Sequence, residues 1–86
     1  MLHKIDWKIK AVKQLLKIPL KDAKKVKDEV KALEKDESSW HNVKKLVNHQ
    51  YSHRLRVGNY RVLFNSGKAI EIVTIEEVKK RDERTY

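Results

Sequence analysis

Three arginines carry the densest chemistry in this chain of 86 residues. In Tyr51-Ser52-His53-Arg54-Leu55-Arg56-Val57 the odd positions are aromatic or aliphatic and the even positions polar or cationic, the period of a half-buried strand. Gly58-Asn59 reads as a two-residue hairpin turn that needs a positive φ at its first position, and Tyr60 to Asn65 as the returning strand. A loop of two residues fixes the register: Val57 faces Tyr60, Arg56 faces Arg61, Leu55 faces Val62 and Arg54 faces Leu63. Arg54, Arg56 and Arg61 therefore share one face. Like charges directly opposite across strands are destabilising, within a range of about 0.2 to 1 kcal/mol, so folding does not ask for this arrangement. A phosphate between two guanidinium groups makes it favourable, because each can donate charge-assisted, bidentate hydrogen bonds. Charged strands also deter edge-to-edge aggregation. Lys normally serves that purpose, and this chain uses Lys freely elsewhere, which tilts the arginines toward an anion site.

The remaining chemistry is sparse. His3, His41, His49 and His53 are dispersed and lack the paired helical spacing of a zinc site. His49 and His53 flank the basic strand, where either can exchange a proton near neutral pH. Alternation puts His53 with Leu55 and Val57, which favours a packing role. The absence of Cys removes disulfide scaffolds, cysteine-ligated zinc and thiol nucleophiles. With only Gly58 and Gly67 there is no phosphate-cradling or dinucleotide loop, and no cofactor is expected.

The elements that must hold the hairpin can be read on either side of it. Residues 2 to 6 suggest a short opening strand. From Trp7 the spacing turns helical, with Ile9, Val12, Leu15 and Leu16 on one stripe and Lys8, Lys10, Lys13 and Lys17 off it. Pro19 ends that helix. A second helix is predicted from Leu20 to Asp36 on Leu20, Ala23, Val26, Val30 and Leu33. Trp40 is expected to anchor the following connection to the core, with stacking on a base as the other role open to it. Ser66-Gly67-Lys68 turns into a third strand from Ala69 to Ile75, and Glu76 to Tyr86 forms a charged tail. The predicted fold is α+β, an antiparallel meander with an N-terminal strand and a helical hairpin packed on one sheet face, in a single domain over residues 1–86.

Charge sets the expected partner. The formal net charge is +9, from 21 Lys and Arg against 12 Asp and Glu. Residues 1–50 hold thirteen Lys and no Arg; residues 51–86 hold five Arg and three Lys. Lys is a flexible point charge, whereas Arg is a planar fork suited to phosphate, so the C-terminal half is the expected working surface. The balance favours RNA or DNA over an anionic membrane. The opening residues lack the apolar centre of a signal peptide and no apolar run approaches a membrane span, so a cytoplasmic protein is expected.

The segment His53-Arg54-Leu55-Arg56-Val57-Gly58-Asn59-Tyr60-Arg61-Val62-Leu63-Phe64 resembles the RelE/ParE superfamily of toxins from toxin–antitoxin pairs. The likeness extends to the leading strand and helical hairpin, to Trp40-His41-Asn42-Val43-Lys44-Lys45-Leu46, and to Val78-Lys79-Lys80-Arg81-Asp82-Glu83-Arg84-Thr85-Tyr86. The resemblance implies a RelE-like fold and, in the RelE branch, an endoribonuclease that cuts mRNA in the ribosomal A site without a metal. The ParE branch, which poisons DNA gyrase, is the alternative, and a non-catalytic ribosome- or RNA-binding protein is a third. The implied catalytic residues are Arg54, Arg61, Arg81 and Tyr86, with Arg56, Lys44, Lys45, His53, Lys79, Lys80 and Arg84 as further RNA or phosphate contacts. Ser52 stands where RelE-type enzymes often carry a lysine, a lost cation that His49, His53 or Lys45 would have to replace. The implied partners are a cognate antitoxin, the 30S A site and mRNA, with no membrane and no small-molecule cofactor.

Overall fold

The alternating segments and the helical ones build separate layers. The computed structural model describes residues 3–67 and 72–80. The strands are β1 (Lys4–Trp7), β2 (Val43–Lys45), β3 (His53–Val57), β4 (Tyr60–Ser66) and β5 (Ile72–Lys80), and the helices α1 (Ile9–Leu16) and α2 (Leu20–Lys31). The strands form one five-stranded sheet in the order β1-β5-β4-β3-β2, antiparallel except for β1 beside β5. Leu55, Val57, Val62, Phe64, Val73, Ile75 and Val78 cover one sheet face and meet Ala11, Leu15, Ala23, Val26, Val30 and Leu33 of the helical layer. Burying these apolar side chains stabilises the fold by about 1.5 to 3 kcal/mol for each large one.

The β3–β4 register is the one read from the sequence, from Val57 opposite Tyr60 to Arg54 opposite Leu63. Gly58 takes φ +55°, which an L side chain rarely adopts, and so permits the two-residue turn. Trp40 anchors its connection as expected: its indole N–H donates to the carbonyls of Leu33 and Lys35 at 3.2 and 2.9 Å, and its ring meets Phe64 edge-on.

Several elements differ from the sequence reading. Trp7 belongs to β1, and helix begins only at Ile9, because Lys8 is still extended and its N–H prolongs the ladder to the Ile75 carbonyl at 2.9 Å. On α1 the buried residues are Ala11 and Leu15; Ile9, Val12 and Leu16 of the expected stripe are exposed, as is Leu20. The helix is rotated because Gln14 serves the sheet edge. Where β1 ends, the Gln14 side-chain carbonyl accepts from the Val78 N–H at 2.7 Å, so α1 takes the place of further strand. The second helix is α-helical only to Lys31, tightens to a 3₁₀ turn over Ala32–Glu34 and is extended by Lys35. β2 has no counterpart in the sequence reading, its three residues being too few for a periodic signal. β5 runs beyond Ile75 to Lys80 through a bulge: Leu63 pairs with Glu77 and Phe64 with Ile75, leaving Glu76 without a partner position. The expected start of that strand at Ala69 lies outside the described residues, as does Lys68. Among the described residues no helix is long and apolar enough to cross a membrane.

Candidate phosphate-binding face

The sheet face turned away from the helices is cationic by register. Side chains of directly paired residues project on the same side, about 5 Å apart. Arg56 of β3 pairs with Arg61 of β4, and Arg61 pairs with Lys79 of β5, which makes a row of three cations across three strands. In the row two residues along, Lys44 of β2 pairs with Arg54, Arg54 with Leu63, and Leu63 with Glu77. The bulge at Glu76 is what brings Lys79 to this face, since it resets the alternation after Ile75 and returns Val78 to the core.

Among the described residues none of the three arginines has an acidic partner; the ion pairs found are Lys10–Glu77 and Lys79–Glu77, at 3.3 and 3.7 Å. Arg56 and Arg61 are exposed, whereas Arg54 is half-buried with an Nε that finds no hydrogen-bond partner. Unpaired guanidinium groups aligned in this way repel one another until an anion enters. Leu63, only 8% exposed, is the apolar member of the second row, between Arg54 and Glu77.

Glu77 closes one end of the second row. Its carboxylate accepts from the Tyr51 hydroxyl at 2.6 Å. That hydrogen bond, with Lys10 and Lys79 nearby, holds the Glu77 carboxyl below the usual range against the opposing effect of burial. The same bond and burial push the Tyr51 hydroxyl up to about 12, so it stays protonated as a donor. Sequence reasoning missed both roles. The one signal was the adjacent pair Glu76-Glu77 interrupting an apolar alternation, which reads as the end of a strand unless a bulge is considered.

The structure gathers Arg54, Arg56, Arg61, Lys44 and Lys79 of the expected site residues. It separates three others from them. Lys45 pairs with His53 and Lys80 with Tyr60, all on the helix-side face. His53 is stacked on Phe64 at 5.2 Å and 13° and lies edge-on to Trp40, and burial lowers its pKa. It packs, as its alternation favoured, and does not stand among the arginines. Arg81, Arg84 and Tyr86 lie outside the described residues. Ser52 is turned into the fold: its hydroxyl donates to the Phe64 carbonyl at 3.3 Å, accepts from the Ser66 N–H at 3.0 Å and sits 2.7 Å from His53 Nδ1. His49 Nδ1 accepts from the Tyr51 N–H at 3.1 Å and so shapes the loop before β3.

Fold and face together define a small α+β protein with a cationic sheet surface whose arginines lack acidic partners among the described residues. No protein-family profile and no curated protein sequence matches the chain. Solved structures do. A chain of the archaeal RelE–RelB complex from Pyrococcus horikoshii OT3 superposes with a TM-score of 0.79 over 96% of this chain and 99% of its own length, at 22% identity. A chain of the toxin–antitoxin complex RelBE2 from Mycobacterium tuberculosis gives 0.78 over 94% and 100%, at 20% identity. The E. coli toxin RelE in the free state, with two arginines changed to alanine, gives 0.72 over 98% and 88%, at 19% identity. The chain has the fold of the RelE toxins.

Proposed function

We propose that this chain is the toxin of a type II toxin–antitoxin pair and acts in the cytoplasm as a ribosome-dependent endoribonuclease, cutting mRNA in the A site. The observation that carries the reading is the row Arg56–Arg61–Lys79 with Arg54 and Lys44 beside it on the sheet face away from the helices, a cluster whose arginines have no acidic partner among the described residues. RNA supplies its own nucleophile in the 2′-OH. Cleavage then needs in-line positioning, removal of that proton, stabilisation of charge on the phosphorane and protonation of the leaving 5′ oxygen. Guanidinium groups can stabilise the charge without a metal. Arg61 contacts the phosphate together with Arg81; Arg54 contacts the phosphate or the leaving group; Arg56 holds a neighbouring phosphate; Tyr86 stacks on a base or transfers a proton. Lys44, beside Arg54, supplies the cation that Ser52 does not. A cluster this open orients RNA poorly by itself, and the ribosome completes the site. A cognate antitoxin restrains the activity, in keeping with the antitoxin complexes in which proteins of this fold are found.

Toeprinting on a programmed ribosome tests the reading. Cleavage within the A-site codon is expected, and it should disappear with Arg61→Ala or Arg81→Ala. Intact mRNA together with trapped gyrase–DNA complexes would replace the reading with gyrase poisoning. Salt-sensitive RNA binding with neither target affected would leave a non-catalytic RNA-binding protein.

A further inference from the structure

Among the described residues Glu77 is the one buried charged side chain, and the proposed reaction leaves it without a role. It stands on the cationic face at the end of the second row, and its two oxygens have divided tasks. Oε2 accepts from the Tyr51 hydroxyl at 2.6 Å; Oε1 faces the ammonium groups of Lys10 at 3.3 Å and Lys79 at 3.7 Å. Tyr51 lies just before β3 and Glu77 in β5, so the phenol reaches over β4 and, with Lys10, holds the carboxylate from both oxygens. Lys79 leaves the same face of β5 two residues further on, about 7 Å along the strand, and pairs with Arg61. Its ammonium leans back to Glu77 although its side chain is 55% exposed.

Neither packing nor long-range attraction asks for an acid here. A leucine beside Leu63 would fill the position without needing polar partners, and a negative charge among cations weakens the pull on a polyanion. What the carboxylate gains is a hold on Lys79. An ammonium on a flexible stem, opposite an arginine with no acidic partner, is repelled into solvent unless something retains it. We propose that Glu77 is a positioning residue for RNA cleavage: it tethers the Lys79 ammonium beside Arg61, so that both cations close on one phosphate with little side-chain reordering. The proposal rests on the endoribonuclease reading above. Glu77 does not itself take the 2′-OH proton. Both of its oxygens are engaged, and the Tyr51 hydrogen bond with the two ammonium groups keeps the carboxylate ionised and weakly basic.

Single-turnover cleavage on programmed ribosomes, followed by toeprinting over a range of protein concentrations, separates the saturated rate from the half-saturating concentration. Glu77→Gln keeps the size of the side chain and an acceptor for Tyr51 but removes the charge. The saturated rate should fall about tenfold, while the half-saturating concentration stays level or drops because an acid has left the cationic face. Lys79→Ala should cost a similar factor, and the double variant no more than Lys79→Ala alone. Tyr51→Phe, which leaves every charge in place, should lower the same rate by a smaller factor. NMR relaxation of the Lys79 side-chain methylene groups in the free protein should show them restrained in the parent and mobile in Glu77→Gln. Three results would overturn the proposal: cleavage by Glu77→Gln at or above the parent rate, losses that multiply in the double variant, or a slower rate with Lys79 motion unaltered, the mark of a purely structural role. A parent protein that cuts no mRNA would sink the endoribonuclease reading and this proposal with it. A parent that cuts beside an unaffected Glu77→Gln sinks the proposal alone.

Discussion

At the scale of single residues, the site and the fold pull in opposite directions. Arg56 and Arg61 are paired across the hairpin without an acid between them, so Arg61→Gln should raise stability, within about 0.2 to 1 kcal/mol, while abolishing cleavage. Chemical denaturation set beside toeprinting separates these effects; a loss of stability equal to the loss of activity would show that Arg61 holds the fold. His53 adds a pH dependence. Burial lowers its folded pKa below the unfolded value of about 6.5, so the unfolded chain takes up a proton that the native protein refuses. Its contribution is therefore present above about pH 6.5 and lost as pH falls through the folded pKa. Thermal melts between about pH 7 and 5 should decline less steeply for His53→Phe than for the parent. Alternation in the sequence was enough to separate Arg54, Arg56 and Arg61 from His53. It could not assign Ser52, whose hydroxyl meets the backbone of a strand twelve and fourteen residues on, a contact with no local signature.

Elements were legible wherever their period was unbroken. The hairpin register followed from the two-residue turn at Gly58, and Ala23, Val26, Val30 and Leu33 marked the inner face of the second helix. The failures have physical causes. The apolar outer stripe of α1 looked like a core stripe because hydrophobicity alone does not say which face the sheet meets. Ala11, too small to stand out, lies at full burial. β5 ended too early in the sequence reading because a bulge interrupts period two, and Lys79, a member of the cationic row, was consequently placed in a tail. The sheet edge at α1 gives a direct test. Gln14→Leu leaves the Val78 N–H, in a residue 5% exposed, without its acceptor, which should cost about 1 to 3 kcal/mol. Denaturation would measure the loss, and faster exchange of the Val78 amide would locate it.

For the whole molecule, charge is divided between two surfaces with different work. The helical layer is solvated by lysines and carries the apolar stripe, and the opposite sheet face gathers Lys44, Arg54, Arg56, Arg61 and Lys79. If these five cations meet the phosphates of single-stranded RNA, the logarithm of the binding constant should fall against log salt with a slope of about −3 to −4. Replacing Arg56 by Gln should reduce that slope by about 0.7, as read by fluorescence anisotropy. A slope unaltered by the change would place the RNA elsewhere. The arginines within the described residues all stand on the sheet face, since residues 1–50 contain none. A vicinal dicarbonyl such as phenylglyoxal, which condenses with guanidinium groups and spares amines, thus becomes a footprinting reagent for that face. Protection of Arg54, Arg56 and Arg61 in peptide mass maps would report its occupancy on the unaltered protein, while every lysine of the helical layer stays unmarked.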